Sequence, residues 1–480
     1  MSTGAADAMR NAGAFASDLV RPTVRLGVTG LAGSGKTVFI TALVQNLVAG
    51  GRLPFFRAVA EERITGAWLE PQPDDTVPRF EIEQHLAQLM GAPPAWPTST
   101  RRISQLRVTL EYAPDSIWRH VTGSRRLHVD IIDYPGEWLL DLPLMRLSYA
   151  DWSREALMLS RSPARQGFAL DWHSFLGTID PGASEDEQVA LKGAGLFTAY
   201  LKRCRVEAEA FTGLTPGRFL MPGDLEGSPA LTFMPLDLAG DAEPGRGSLA
   251  AMMARRYEAY KTHVVRPFFT DHFSRLDRQI VLVDVLSALN AGPDAVTDLG
   301  TSLAAVLACF RPGTNDWLSR ILSRRIDRIA FAATKADHLH HTSHDRLEAV
   351  LGKLTETAIT RAQFSGAKVK VMAIAAVRAT RESEVRKANE KLPCIIGTPM
   401  AGERLGTQTF DGATETAVFP GDLAADADAA IRAAGSQAGD LQFLRFRPPV
   451  VKASSGEPRP AFPHIRLDRV LDFLIGDRLT

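Results

Sequence analysis

Two long apolar stretches flank a glycine-rich turn near the start of the chain. Val24 to Thr29 has the pattern of a buried strand, and Val38 to Val48 carries apolar residues on most faces of a helix. Residues 51–101 are rich in proline and broken by short helical patterns, so a long surface connection is expected there. Ile103 to Tyr112 reads as a strand through Ile103, Leu106, Val108 and Leu110, and Leu127 to Asp133 as a second strand able to pair with it as an antiparallel ribbon.

From Leu139 to Asp277 the pattern is mostly helical, around Leu191–Phe211 and Leu249–Phe268 for example. Strand and helix then alternate: Gln279–Val285, a helical region from Ala295 to Arg325, Arg328–Ala333, a helix from Asp345 to Gln363, and Lys368–Ile374. Thr342 and Asp345 have the spacing of a capping box for the last of these helices. Alternation of this kind predicts an α/β fold with a doubly wound, mostly parallel sheet. The expected organisation is a tail at 1–22, a first sheet segment at 23–138, a helical insertion at 139–277, a second sheet segment at 278–392 and an extension at 393–480. The extension closes with a strand near Leu441–Phe446 and a helix at Leu467–Leu479.

The turn between the first strand and helix is Gly30-Leu31-Ala32-Gly33-Ser34-Gly35-Lys36-Thr37, which fits G-x-x-x-x-G-K-[ST] in the strand-to-helix setting that this motif needs. The expected fold is therefore that of a P-loop NTPase. Gly30, Ala32, Gly33, Ser34, Gly35, Lys36, Thr37 and Val38 would form a phosphate cradle from backbone N–H groups and the positive end of the helix. Lys36 would reach the β- and γ-phosphates, and the Thr37 hydroxyl would hold Mg²⁺.

Asp133-Tyr134-Pro135-Gly136 follows the second strand of the ribbon. In a P-loop protein it places the Asp133 carboxylate beside the metal and the Gly136 N–H beside the γ-phosphate, so that loss of this phosphate would release the next segment. Thr334-Lys335-Ala336-Asp337 ends a later strand. An [NT]-K-x-D element accepts two guanine protons on its carboxylate while the lysine stem covers the base. An unmade charged hydrogen bond costs about 1.5–3 kcal/mol, enough for ten- to hundredfold selection of guanine over adenine. The same residue types also make an ordinary surface turn. Ala375-Ala376-Val377, after the last strand, has the place of a loop whose backbone meets the guanine oxygen. Thr100 is the expected switch hydroxyl of the Mg²⁺ shell, with Arg101 or Arg102 as charge stabilisers; a plain loop hydroxyl with solvated arginines fits equally.

Composition narrows the alternatives. The 55 basic residues balance 55 acidic ones, so no nucleic-acid partner and no direct membrane insertion are expected. No apolar run spans a bilayer and residues 1–22 lack a signal-peptide core, which leads to the expectation of a cytoplasmic protein. Cys204, Cys309 and Cys394 are far apart and read as reduced core residues. His338, His340, His341 and His344 cluster after the guanine element; without an H-E-x-x-H pattern they read as solvated rather than metal-binding. Trp138, Trp152, Trp172 and Phe175 read as core before partner-docking face.

Together with Asp133-Tyr134-Pro135-Gly136-Glu137-Trp138-Leu139-Leu140-Asp141-Leu142-Pro143 and Phe462-Pro463-His464-Ile465-Arg466-Leu467-Asp468, these motifs resemble the YcjX-like bacterial family of P-loop proteins over nearly the whole chain. The resemblance implies a stress-associated GTPase, also described as an ATPase, with a helical insertion and a membrane-protein partner. Glu137 stands where small GTPases commonly carry a water-orienting glutamine. An ionised carboxylate cannot donate a hydrogen bond and repels the γ-phosphate, so slow hydrolysis, or help from a partner or homodimer, is the expectation. GTP and GDP are the expected ligands and Mg²⁺ the cofactor. An ATPase, a small-molecule kinase or a nucleotide-regulated interaction protein are the alternatives.

Overall fold

The computed structural model describes residues 22–31, 33–98, 102–115, 124–206, 211–238, 245–308, 326–364, 366–387, 390–434, 443–451 and 460–480. Seven strands form the main sheet: β1 (Thr23–Gly30), β2 (Ile64–Leu69), β3 (Ser104–Tyr112), β4 (Arg125–Asp133), β5 (Arg278–Val283), β6 (Arg328–Ala333) and β7 (Lys368–Ala373). Their order is β2-β3-β4-β1-β5-β6-β7. β4, β1, β5, β6 and β7 run parallel, while β2 and β3 pair antiparallel at one edge. This is an α/β sheet of the P-loop NTPase kind. In the interior strands β5 and β6 the stretches Ile280–Val283 and Ile329–Ala333 are continuously apolar because both faces are covered.

The antiparallel ribbon is β3 and β4, fixed in register by the bidentate Arg107–Asp130 pair across the strands. β2 corrects the expectation of a plain connection over 51–101. Its Ile64-Thr65-Gly66-Ala67-Trp68-Leu69 sequence is only half-buried, so the apolar alternation of a strand is weak. The helix after Lys36, α1 (Lys36–Val48), is buried over Phe39–Leu47. Its polar positions are covered from the far end of the chain. Asn46 donates to the Phe462 carbonyl and accepts from the Phe462 N–H, and Gln45 donates to the Pro460 carbonyl.

Between β4 and β5 the chain is helical, with α2 (Glu187–Val206) the longest element. Its core is aromatic: Trp152 stacks on Tyr257, and Trp172 on Tyr200. Trp138, Trp152 and Trp172 are buried and Phe175 half-buried, as expected of core residues. The Asp133–Pro143 run belongs to the same core through Tyr134, Trp138, Leu139, Leu140 and Leu142.

Several local expectations change. Ser343, without a side-chain cap, precedes the helix His344–Leu354, so Thr342 makes no capping box there, and a second helix, Glu356–Phe364, follows it. β8 (Arg381–Lys387), β9 (Glu390–Gly397) and β10 (Thr416–Val418) form a three-stranded antiparallel sheet, unforeseen because β8 is largely polar, β9 holds a proline and a glycine, and β10 has only three residues. Over 443–446 there is no strand, only a bridge between Phe446 and Pro399. The last helix, α3 (Leu467–Ile475), packs an apolar face into the core under the sheet. Cys204 and Cys394 are buried thiols; Cys309 lies outside the described residues. No helix among the described residues is long and apolar enough to cross a membrane.

Candidate functional site

The carboxyl end of β1 turns directly into α1. Gly33 and Gly35 have φ of 76° and 80°, in the left-handed region, which allows the chain to reverse and enter the helix within a few residues. Ser34 N–H donates to the Leu31 carbonyl, and helix bonding starts with Phe39 N–H to Gly35. The Lys36 ammonium folds back on the Gly30 carbonyl at 2.5 Å. The buried Ser34 hydroxyl has no hydrogen-bond partner among the described residues, a cost of about 1–3 kcal/mol unless a ligand supplies one.

A cavity of ≈ 260 Å³ opens from this loop. Gly33 to Phe39 line one end. Thr334, Lys335, Asp337 and His338 line the other, with Ile374 to Val377 beside them. Strand register explains the meeting, since β6 and β7 run parallel to β1 through β5 and all release their chains at one edge. Backbone bonds fix the far end: Thr334 N–H donates to Val283, Ala336 N–H to Ile374, and Ile374 N–H to Ala333. The 375–378 loop is tied to the Phe462–Asp468 segment by two bonds between Ala375 and Ile465 and by Arg378 N–H to Pro463.

Lys335 has φ of 61°, rare for a non-glycine residue, and its ammonium pairs with Asp284. Burial opposes the Asp284 charge, but Lys335 and Ser287 outweigh it and hold the carboxyl below its ordinary value. Asp337 is buried, and its Oδ2 accepts the Ala379 N–H at 2.8 Å. Burial holds the neighbouring His338 below 6.5 despite the Asp337 carboxylate, so its ring is neutral at pH 7.

The opposite flank of the Gly33–Val38 loop is filled by protein. β1–β4 register pairs Val28 with Asp133, which puts this buried carboxylate at the strand ends beside the loop. Gly136 lies so close that a Cβ there would sit 2.0 Å from the Gly30 carbonyl oxygen. Glu137 is buried and pairs with Arg205 of α2 at 2.9 Å. Asp141 accepts from Gly217 N–H at 2.6 Å and from the Tyr260 hydroxyl at 2.6 Å. Burial pushes its carboxyl up to about 6 against the pull of these donors.

The cavity thus brings together Gly33, Ser34, Gly35, Lys36, Thr37 and Val38 with Thr334, Lys335, Asp337, Ala375, Ala376 and Val377. Gly30, Asp133, Gly136 and Glu137 adjoin the loop outside the cavity lining. Ala32, Thr100 and Arg101 lie outside the described residues; Arg102 is exposed. Two of the clustered histidines are not solvated: His340 is buried, and His344 is buried with its Nε2 on the Ala336 carbonyl at 2.8 Å. Sequence reading missed Trp96, Pro97, Met400, Arg445 and Phe446 as cavity residues. The aromatic ones carry no motif, and only the unexplained Trp96 in a proline-rich segment signals them.

The YcjX-like family, DUF463, has a family model that matches residues 24–479 of this chain. The chain is 39% identical over 469 residues to the "Ras-like GTPase YcjX" of Escherichia coli (strain K12), covering 95% of this chain and 96% of that protein. It is 34% identical over 479 residues to the "Ras-like GTPase YcjX" of Shewanella oneidensis (strain MR-1), covering 95% and 94%. Among solved structures it has a slight likeness to the signal recognition particle receptor SRb-GTP/SRX complex from Chaetomium thermophilum, at 12% identity and a TM-score of 0.25, covering 74% of this chain and 91% of that one.

Proposed function

This chain belongs to the YcjX-like family, and from that premise we propose that it is a GTP-binding protein that hydrolyses GTP slowly. The observation that carries the reading is the single cavity with the Gly33–Val38 loop at one end and Thr334–Asp337 with Ala375–Val377 at the other. A nucleoside phosphate needs anion-binding amides and a base reader at opposite ends of one space.

In this reading the loop amides, the Ser34 hydroxyl, without a partner among the described residues, and Lys36 hold the phosphates, with Lys36 leaving the Gly30 carbonyl to do so. Thr37 and Asp133 offer a hydroxyl and a carboxylate, the hard oxygen donors that suit Mg²⁺. When bound, that ion would neutralise charge on the β- and γ-phosphates. The Lys335 stem covers the base, Asp337 accepts its ring protons, and the Ala375–Val377 backbone meets its oxygen. The Gly136 N–H donates to the γ-phosphate once the segment withdraws from Gly30. Catalysis is positioning and charge stabilisation, and the Glu137 carboxylate, unable to donate a hydrogen bond to water, keeps it slow. A stress-linked switch role with a membrane-protein partner rests on the family resemblance.

Titration calorimetry of GTP, XTP and ATP into the wild type and Asp337→Asn tests the base reading. The expected result is GTP preference in the wild type and a ten- to hundredfold loss in the variant with a turn toward XTP. ATP binding as tight as GTP binding, unchanged by Asp337→Asn, would make the protein an ATPase.

A further inference from the structure

We propose that Trp96, positioned by Phe446, forms an aromatic roof that stacks on the purine of the bound nucleotide. This rests on the reading of the cavity as a nucleotide site. The three motifs account for the two ends and one side of the cavity. The remaining wall comes from Trp96 and Pro97, in the connection before β3, and from Met400, Arg445 and Phe446 in the segments that follow β9.

That wall is built rather than incidental. The Trp96 indole N–H donates to the Phe446 carbonyl at 2.6 Å across 350 residues of sequence. Phe446 is buried and meets the His338 ring edge-on, with centroids 5.4 Å apart, so it braces the roof against the residue that follows Asp337. Its own backbone is fixed by the bridge to Pro399 and by bonds from Met400 N–H to Arg445 and from Arg447 N–H to Thr398. Room for its ring is left by Gly397, where a Cβ would lie 2.8 Å from Phe446 Cδ1.

The chemistry selects an occupant. Trp96 is half-buried, with its one hydrogen-bonding atom already used, so what it offers the cavity is a flat apolar surface. A purine has two π faces, and the Lys335 stem serves one of them. An indole serves the other, and it does so without regard to the number of phosphates.

Trp96→Ala should therefore weaken GDP and GTP by the same factor, about five- to a hundredfold, the range to which base–aromatic stacking converts. Trp96→Phe should recover most of that loss. GDP should also quench a part of the intrinsic fluorescence that is missing from Trp96→Phe, a readout that needs no alanine variant to fold. Trp96→Ala binding as the wild type does, while Lys36→Ala loses binding, would overturn the roof and leave the nucleotide site standing. Absence of GDP and GTP binding by the wild type would overturn both.

Discussion

At the base end of the cavity, Thr334–Asp337 and Ala375–Val377 are held by backbone bonds to neighbouring strands and to residues 463–465, with open space between them. At the phosphate end the Asp133–Asp141 run is equally well held, but by groups that occupy it: Gly136 against Gly30, Glu137 on Arg205, Asp141 on Gly217 and Tyr260. One end is preorganised to receive a ligand. The other is closed on itself and joined to the aromatic core of the helical region. On the proposed reading, a nucleoside diphosphate would use what already exists, whereas a third phosphate would have to compete with the protein's own contacts.

Lys36→Ala removes the group both states share, so it should erase the contrast. We expect GDP and GTP affinity to fall at least a hundredfold, about 2.7 kcal/mol, with the melting temperature kept, as read by calorimetry and thermal melts. Tight GTP binding by this variant would remove the phosphate assignment. Arg205→Ala acts on the closed end alone. It strands a buried carboxylate and should lower stability by about 1–3 kcal/mol, less than for a fully enclosed pair because Arg205 keeps part of its side chain in water. Adding Glu137→Gln should restore most of this while GDP affinity stays near wild type throughout; an equal fall in GDP affinity would mean that the two ends are not separable.

Acidification should divide the ends most gently. His338 and His344 titrate below 6.5 because burial disfavours their charge, so the unfolded chain binds more protons and the base end loses stability as pH falls below that value. Asp141 titrates near 6, above its ordinary 3.8, because burial outweighs the Tyr260 and Gly217 donors; in that window the folded chain binds more protons, and the region around this carboxyl gains stability as pH falls because the penalty on its buried charge is relieved. Hydrogen exchange at pH 7.5 and 5.5 should show protection decreasing around 334–344 and increasing around 141 and 217. A change of one sign at both would contradict the assignment.

What the sequence made legible were features whose cause is local. The phosphate loop announces itself because Gly33 and Gly35 must take positive φ beside Lys36. The buried parallel strand Arg278–Val283 carries the continuous apolar run Ile280–Val283. Thr334–Asp337 stands out by following such a strand. Features that depend on distant partners were hidden. β2 earns its place only by pairing with β3, Trp96 gains meaning from a carbonyl 350 residues away, and the largely polar β8 is a strand only through its pairing with β9. Over 443–446 the expected strand does not form for a related reason: Phe446 serves the cavity wall and a small core with Ile395, Phe410, Val418 and Leu444, and does not alternate within a ladder.

The segment from Pro460 to Asp468 grips α1 through Gln45 and Asn46, ties down the base loop through Ala375 and Arg378, and lets Asp468 accept the Phe55 N–H. During synthesis the Pro460 contact can form only 415 residues after the Gln45 that it meets. A growing chain can carry every phosphate-loop residue outside the ribosome and still lack a finished site. On the proposed reading, nucleotide would stabilise only a chain translated through this segment, so that binding would report on completed synthesis as well as on the ligand.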